Sequence, residues 1–135
     1  MTCESALSFF LQKHVEKNTR KRYLALLETK KGKLKFLREL DHHFASHLIH
    51  VGKVFELPLS IWNSPCYLFS SREIFGQEWS SLDQAYKNAS LEGGWLILEK
   101  SGKGGIFRPE DKIDDEILII SQALLTKNFR ETHPR

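Results

Sequence analysis

Few cysteines and the absence of a long apolar run set the first limits on this sequence. It contains two cysteines, Cys3 and Cys66, whereas a secreted disulfide scaffold normally carries more of them at closer spacing. No stretch approaches the ~20 apolar residues that a membrane-spanning helix needs. The apolar run at residues 6–11 contains Ser8 and is too short for the core of a signal peptide. We therefore expect a soluble, cytoplasmic protein with reduced thiols and no membrane partner.

Short catalytic signatures are also missing. The sequence contains neither H-E-x-x-H nor G-x-S-x-G. Gly102 and Lys103 supply the G-K pair of a phosphate-binding loop, but Ile97 stands where that motif needs its first glycine. Gly104 stands where the motif needs Ser or Thr. This glycine-rich segment is instead typical of a tight turn, and we expect no cofactor from these patterns.

Length and composition indicate one folded domain. The chain has 135 residues, of which 41% are apolar and 27% charged. Those proportions exclude collagen-like, low-complexity and wholly disordered classes. A chain of this size buries enough surface to fold without a disulfide or a metal. We predict a single α+β domain over residues 1–135, with a helical part at 1–52, a mixed part at 53–135 and a frayed tail at 131–135.

Apolar residues at helical spacing indicate a helix close to the start of the chain. Five residues share one face of it: Leu7, Phe10, Leu11, His14 and Val15. Thr2 is a suitable N-cap, and the residues Asn18 and Thr19 predict a break before the next helix.

Two further helices are predicted before residue 53. The second turns Tyr23, Leu24 and Leu27 inward and ends within residues 29–32, where a glycine lets the backbone leave the helix. The third has a continuous apolar stripe of five residues: Leu37, Leu40, Phe44, Leu48 and Val51. We expect it to end at Gly52.

The rest of the chain predicts short strands and one short helix. Residues 67–69 suit a strand, and Ser81 with Gln84 resembles a capping box that begins a helix. Residues 95–99 and 106–108 flank the glycine-rich turn, which predicts a β-hairpin. Residues 117–120 fit either a strand or part of a last helix. The expected fold is an N-terminal bundle of about three helices packed on a small antiparallel sheet, with one or two further helices.

Charge is unevenly distributed along the chain. Residues 13–38 contain ten basic and two acidic residues, a balance of +8, whereas residues 110–116 contain five acidic residues and one lysine. The helical face carries six basic residues that we take as the candidate binding site: Arg20, Lys21, Arg22, Lys31, Lys35 and Arg38. Lysine and arginine supply the contacts that hold polyanions. The acidic segment 110–116 is an alternative, internal partner for this face.

The charge pattern favours a non-enzymatic intracellular binding or regulatory protein that engages an acidic protein surface or a nucleic acid. Aromatic side chains add stacking for single-stranded nucleic acid. The candidates for that role are Trp62, Tyr67, Phe75 and Trp79.

The histidines support an alternative, enzymatic hypothesis. His43, His47 and His50 are spaced to share one flank of a helix, where imidazoles chelate zinc or another divalent metal. Glu39 lies one turn upstream, and Cys66 is a candidate nucleophile if the fold brings it near these rings. The same histidines also suit partly buried packing beside the apolar stripe. A third hypothesis is a self-associating structural protein, a homo-oligomer in which the basic region of one copy meets the acidic segment of another.

Overall fold

The computed structural model describes residues 2–15, 17–40, 49–53, 59–70, 75–89, 94–100, 104–109 and 116–120. These residues form an α+β fold, which confirms the predicted class. The helices are α1 (Cys3–His14), α2 (Lys17–Leu26), α3 (Lys30–Glu39), α4 (Leu59–Trp62) and α5 (Leu82–Asn88). The strands are β1 (Ile49–Lys53), β2 (Cys66–Ser70), β3 (Gln77–Trp79), β4 (Trp95–Glu99), β5 (Gly105–Arg108) and β6 (Glu116–Ile120).

The six strands form one sheet in the order β1-β6-β5-β4-β2-β3, and every neighbouring pair is antiparallel. The predicted hairpin is present as β4 and β5, with Ile97 opposite Ile106. Residues 116–120 form a strand, so the strand alternative at 117–120 is the correct one. The helical alternative does not form over these residues.

Each face of the sheet is covered by helices. Alternate side chains of a strand point to opposite faces, so Phe69 and Phe107 pack with residues of α1, α2 and α3 in one core cluster. Leu68 and Ile106 pack with the α5 residue Leu82 in a second cluster. Burial on both faces explains why the β2 and β4 sequences are almost continuously apolar.

The first helix begins as predicted but ends earlier. Thr2 caps α1, and its hydroxyl oxygen accepts a hydrogen bond from the Ser5 backbone N–H at 3.1 Å. The predicted break at Asn18 and Thr19 is wrong, because both residues lie within α2. The break falls at Val15, which has an extended backbone and a buried side chain. The chain therefore leaves the first helix at Val15 and keeps this side chain in the core.

Helices α2 and α3 form an antiparallel helical hairpin. Tyr23 in α2 packs edge-on against Phe36 in α3, with ring centroids 5.2 Å apart. The Tyr23 hydroxyl donates to the backbone carbonyl of Glu39, at the far end of α3, at 3.2 Å. The predicted end of the second helix at residues 29–32 is wrong. Helix α2 ends at Leu26, and Thr29 already caps α3 by accepting a hydrogen bond from the Gly32 N–H at 2.9 Å.

Loss of the Thr29 cap is expected to destabilise the hairpin. We expect Thr29→Ala to lower the free energy of unfolding by about 1 kcal/mol, because an N–H at the start of α3 then loses its acceptor. Urea denaturation followed by circular dichroism measures the change. Thr29→Ser is the matched control, since it keeps a hydroxyl at this position and should cost much less. Equal losses for the two variants would show that capping is not the cause.

The predicted third helix is too long. Helix α3 ends at Glu39, and Ile49–Lys53 is strand β1, so the expected stop at Gly52 and the helical assignment of residues 49–52 are wrong. Residues 41–48 lie outside the described part. The physical reason is strand pairing: β1 lies against β6, with Val51 opposite Leu118. The ladder hydrogen bonds of this strand pair outweigh the helical spacing of the apolar residues.

In the described ranges, no helix has both the length and the apolar character needed to cross a membrane. The longest of them, α1, has 12 residues.

Candidate functional site

The helical hairpin brings the predicted basic residues together on two adjacent helices. Arg20, Lys21 and Arg22 lie on α2, whereas Lys31, Lys35 and Arg38 lie on α3. All of them are exposed except Arg20, which is half-buried. The spacing of the three α3 residues places them on the side opposite the buried Phe36 and Leu40. The hairpin therefore presents a basic surface on its outer side.

Part of this surface is neutralised by a carboxylate of the hairpin itself. An Arg22 guanidinium nitrogen lies 2.6 Å from one carboxylate oxygen of Glu39. The Lys35 ammonium lies 3.9 Å from the other oxygen. Exposed ion pairs of this kind contribute little to stability, but they reduce the positive potential that a partner meets at Arg22 and Lys35. Arg20 has a local role, since its Nε donates to the Val15 carbonyl at 3.0 Å.

Three lysines of the hairpin remain unopposed within the described residues. Lys21, Lys30 and Lys31 are exposed, and the ion pairs of the hairpin involve Arg22 and Lys35 instead. Arg38 is exposed and already has an interaction partner. Residues 110–115 of the acidic segment 110–116, considered as an internal partner, lie outside the described residues, and Glu116 begins β6. Lys30 and Lys31 begin α3, whereas Lys21 lies beside Arg22, which pairs with Glu39 at the other end of α3. We refer to Lys21, Lys30 and Lys31 together as the lysine face.

The aromatic side chains predicted to stack on nucleic-acid bases do not lie on this face. Tyr67 is buried, and Phe75 packs edge-on against Phe36 and Phe69. Trp62 and Trp79 pack against the core cluster on the other side of the sheet. Packing occupies these rings in whole or in part, because burying a large aromatic side chain stabilises the fold more than leaving it in water.

A cleft of about 220 Å³ adjoins the hairpin, between α1, α2, α3 and β2. Its lining combines apolar walls with a few polar groups: Cys3, Glu4, Leu7, Ser8, Leu24, Leu27, Lys33, Phe69 and Phe75. Leu24 is 47% exposed and is the one exposed large apolar side chain of the described residues. The Lys33 ammonium lies 5.3 Å from the centroid of the Phe75 ring, within the range of a cation–π contact.

Sequence reasoning missed this cleft. Leu24 was predicted to face inward with Tyr23 and Leu27, whereas only Tyr23 is fully buried. A signal was present in the sequence, since Tyr23 and Leu24 are consecutive and point about 100° apart on a helix. Lys33 lies within the basic region at residues 13–38, but its contact with Phe75 could not be predicted. Phe75 follows β2 and is distant from Lys33 in the sequence.

The two cysteines are free thiols in different surroundings. Cys3 is half-buried at the cleft, and Cys66 is fully buried in the core cluster that contains Leu82. Burial raises the pKa of the Cys66 thiol to about 12, and the nearby Lys100 opposes this only in part. A nucleophilic cysteine needs the opposite, a lowered pKa in partly exposed surroundings.

The expected placement of three histidines on one flank of a helix does not hold for His50. His50 lies on strand β1, not on a helix, so it cannot share a helical flank with His43 and His47. Those two residues lie outside the described part of the chain. Elsewhere, the described residues contain no group of three or more His, Cys, Asp or Glu side chains placed to hold a metal ion.

No protein-family model, curated protein or solved structure matches this chain.

Proposed function

We propose that this protein is a non-enzymatic binding module that engages an acidic partner through the α2–α3 hairpin. One observation carries the proposal. Lys21, Lys30 and Lys31 are exposed and have no ion pair with a described residue, whereas the Glu39 carboxylate is already occupied by Arg22 and Lys35. Uncompensated charges of one sign attract and orient a partner of the other sign.

The surroundings of the lysine face favour an acidic protein segment over single-stranded nucleic acid. Binding of a single strand depends on aromatic side chains that stack with bases beside a basic groove. Here Tyr67 is buried, and the half-buried Trp62 and Trp79 pack on the other side of the sheet. Phe75 is half-buried and is the one aromatic candidate in the cleft beside the hairpin. The large apolar side chain next to the lysine face is Leu24, which is aliphatic and one helical turn from Lys21. A protein segment that carries both acidic residues and an apolar residue can contact the lysines and Leu24 together.

We also propose a reducing, cytoplasmic location for this activity. Cys3 and Cys66 are both unbridged, and they belong to the core clusters on opposite faces of the sheet. Free thiols of this kind persist where glutathione and thioredoxin keep them reduced.

Charge reversal on the lysine face tests the proposal. We expect Lys21→Glu with Lys31→Glu to weaken binding to poly-L-glutamate by roughly tenfold or more, because two attractions become repulsions. Fluorescence anisotropy at several salt concentrations measures the affinity, which should fall as salt rises for the unmodified protein.

Two single variants provide the matched comparison. Lys31→Glu and Lys87→Glu change the charge equally at exposed helical positions, but Lys87 lies on α5 and pairs with Asp83. We expect weaker binding only for Lys31→Glu. Equal effects would show that net charge alone controls binding and would overturn the assignment to the hairpin. Light scattering at low and high salt separates partner binding from self-association.

A further inference from the structure

We propose that the cleft beside the hairpin holds one apolar side chain of the acidic partner, while the partner's carboxylates lie against the lysines next to the cleft. The occupant is therefore a protein segment that combines acidic residues with one large apolar residue. This inference rests on the proposed function and adds the chemistry of the partner to it.

The size of the cleft suits a side chain. Its volume is about 220 Å³, below the ~300–1,000 Å³ that is usual for small-molecule and cofactor sites. One aromatic or leucine side chain fills a space of this order, as anchor residues do at the centre of protein interfaces.

The walls of the cleft are apolar, and part of this apolar surface is exposed to water, which is unfavourable. Leu27, Phe69 and Phe75 line the interior, and Leu24 extends the apolar surface at the rim with 47% of its area in water. Inserting an apolar group would remove this surface from water, which is favourable in proportion to its area. A purely polar polyanion such as a DNA backbone gains nothing from these walls.

Charge around the cleft matches the acidic character of the occupant. The Lys33 ammonium lies over the Phe75 ring in the cleft wall. Lys30 lies one helical turn before Lys33 on α3. Lys21 lies one turn before Leu24 on α2. The acidic residue of the lining is Glu4, on α1. The partner's carboxylates are therefore directed away from α1 and toward the hairpin, which sets the orientation of the segment.

Two peptides test the inference on the full-length protein. One contains glutamate and serine with a single central phenylalanine, and its match replaces that phenylalanine with alanine. We expect the first peptide to bind roughly tenfold more tightly, because only it fills the cleft. Leu24→Ser should abolish this difference, whereas Ala25→Ser, at the neighbouring exposed position of α2, should preserve it.

Alkylation of Cys3 supplies an independent measurement on the unmodified protein. Cys3 lines the cleft and Cys66 is buried with a raised pKa, so iodoacetamide should react with Cys3 first. The phenylalanine peptide should slow this reaction, and neither the alanine peptide nor a DNA duplex should slow it as much.

The outcomes separate this inference from the proposed function. Equal, salt-sensitive binding of both peptides without protection of Cys3 would overturn the cleft assignment and leave the lysine face in place. Binding of neither peptide would overturn both. Equal protection of Cys3 by the DNA duplex would also contradict the inference, since it would show that the cleft does not require an apolar anchor.

Discussion

Gly32→Ala is expected to lower the free energy of unfolding by at least about 2 kcal/mol. A Cβ at this position would lie 1.8 Å from the carbonyl oxygen of Leu26 and 2.8 Å from the Thr29 hydroxyl. The Leu26 oxygen is backbone of the neighbouring helix, so relief of the clash requires α2 and α3 to move apart. Overpacking in a buried site commonly costs ~1–3 kcal/mol. For a contact with backbone atoms at this distance, we expect a loss of unfolding free energy at or above the upper end of that range.

Helix propensity predicts the opposite sign for the same substitution. Alanine is favoured over glycine inside a helix by roughly 1 kcal/mol, so propensity alone would make Gly32→Ala stabilising. The distance to Leu26 decides between the two effects, because a gain of that size does not offset a backbone clash. Urea denaturation of the variant measures the sign directly.

The control for this prediction lies at the next position in α3. Lys31→Ala is exposed and should change stability by less than ~0.5 kcal/mol. A Gly32→Ala protein as stable as the original would show that the hairpin does not have the close approach seen here. Weaker binding of poly-L-glutamate by a folded Gly32→Ala protein is also expected, because separation of the helices moves Lys21 relative to Lys31.

Elements controlled by local chemistry could be predicted from the sequence. Thr2 and Ser81 cap helices because each side chain meets an N–H three residues later, a contact that needs no distant partner. The β4–β5 hairpin follows from two apolar runs around a glycine-rich turn.

Elements controlled by distant pairing could not be predicted in the same way. Strand β1 pairs with β6, although both carry apolar spacings that fit a helix as well as a strand. Only the presence of a partner strand decides between helix and strand. The pattern of apolar residues along the sequence does not show whether a partner strand is present. The helical flank assumed for the three histidines does not include His50 for this reason, because that geometry assumed that the helix continued through β1.

In the candidate site, too, local features could be predicted from the sequence and contacts between distant residues could not. Helical spacing predicted correctly that Lys21 and Lys31 are exposed. It gave no sign that Glu39 pairs with Arg22, since that contact joins two helices whose relative position depends on the Tyr23–Phe36 packing. The cleft was missed because its walls come from three separate parts of the chain.

Raising the pH from 8 to 10.5 is expected to lower the free energy of unfolding by about 2 kcal/mol through Cys66 alone. Burial raises the pKa of this thiol from its ordinary value of 9.0 to about 12, with Lys100 acting in the other direction. The folded protein therefore keeps the thiol protonated above pH 9, whereas the unfolded chain releases the proton. Stability from this group is complete below pH 9 and falls by ~1.4 kcal/mol per pH unit above it, until the folded thiol also ionises.

Cys66→Ala isolates this contribution from other groups that titrate in alkali. The hydrogen bond to Glu78 raises the pKa of Lys100 above its ordinary value of 10.5, so most of the pH dependence from this group falls above the chosen range. Urea denaturation between pH 8 and 10.5 should show a shallower pH dependence for Cys66→Ala, and an unchanged one for Cys3→Ala at the half-buried position in the cleft. The same slope in all three proteins would contradict the assignment, because a buried neutral thiol must couple its proton to folding.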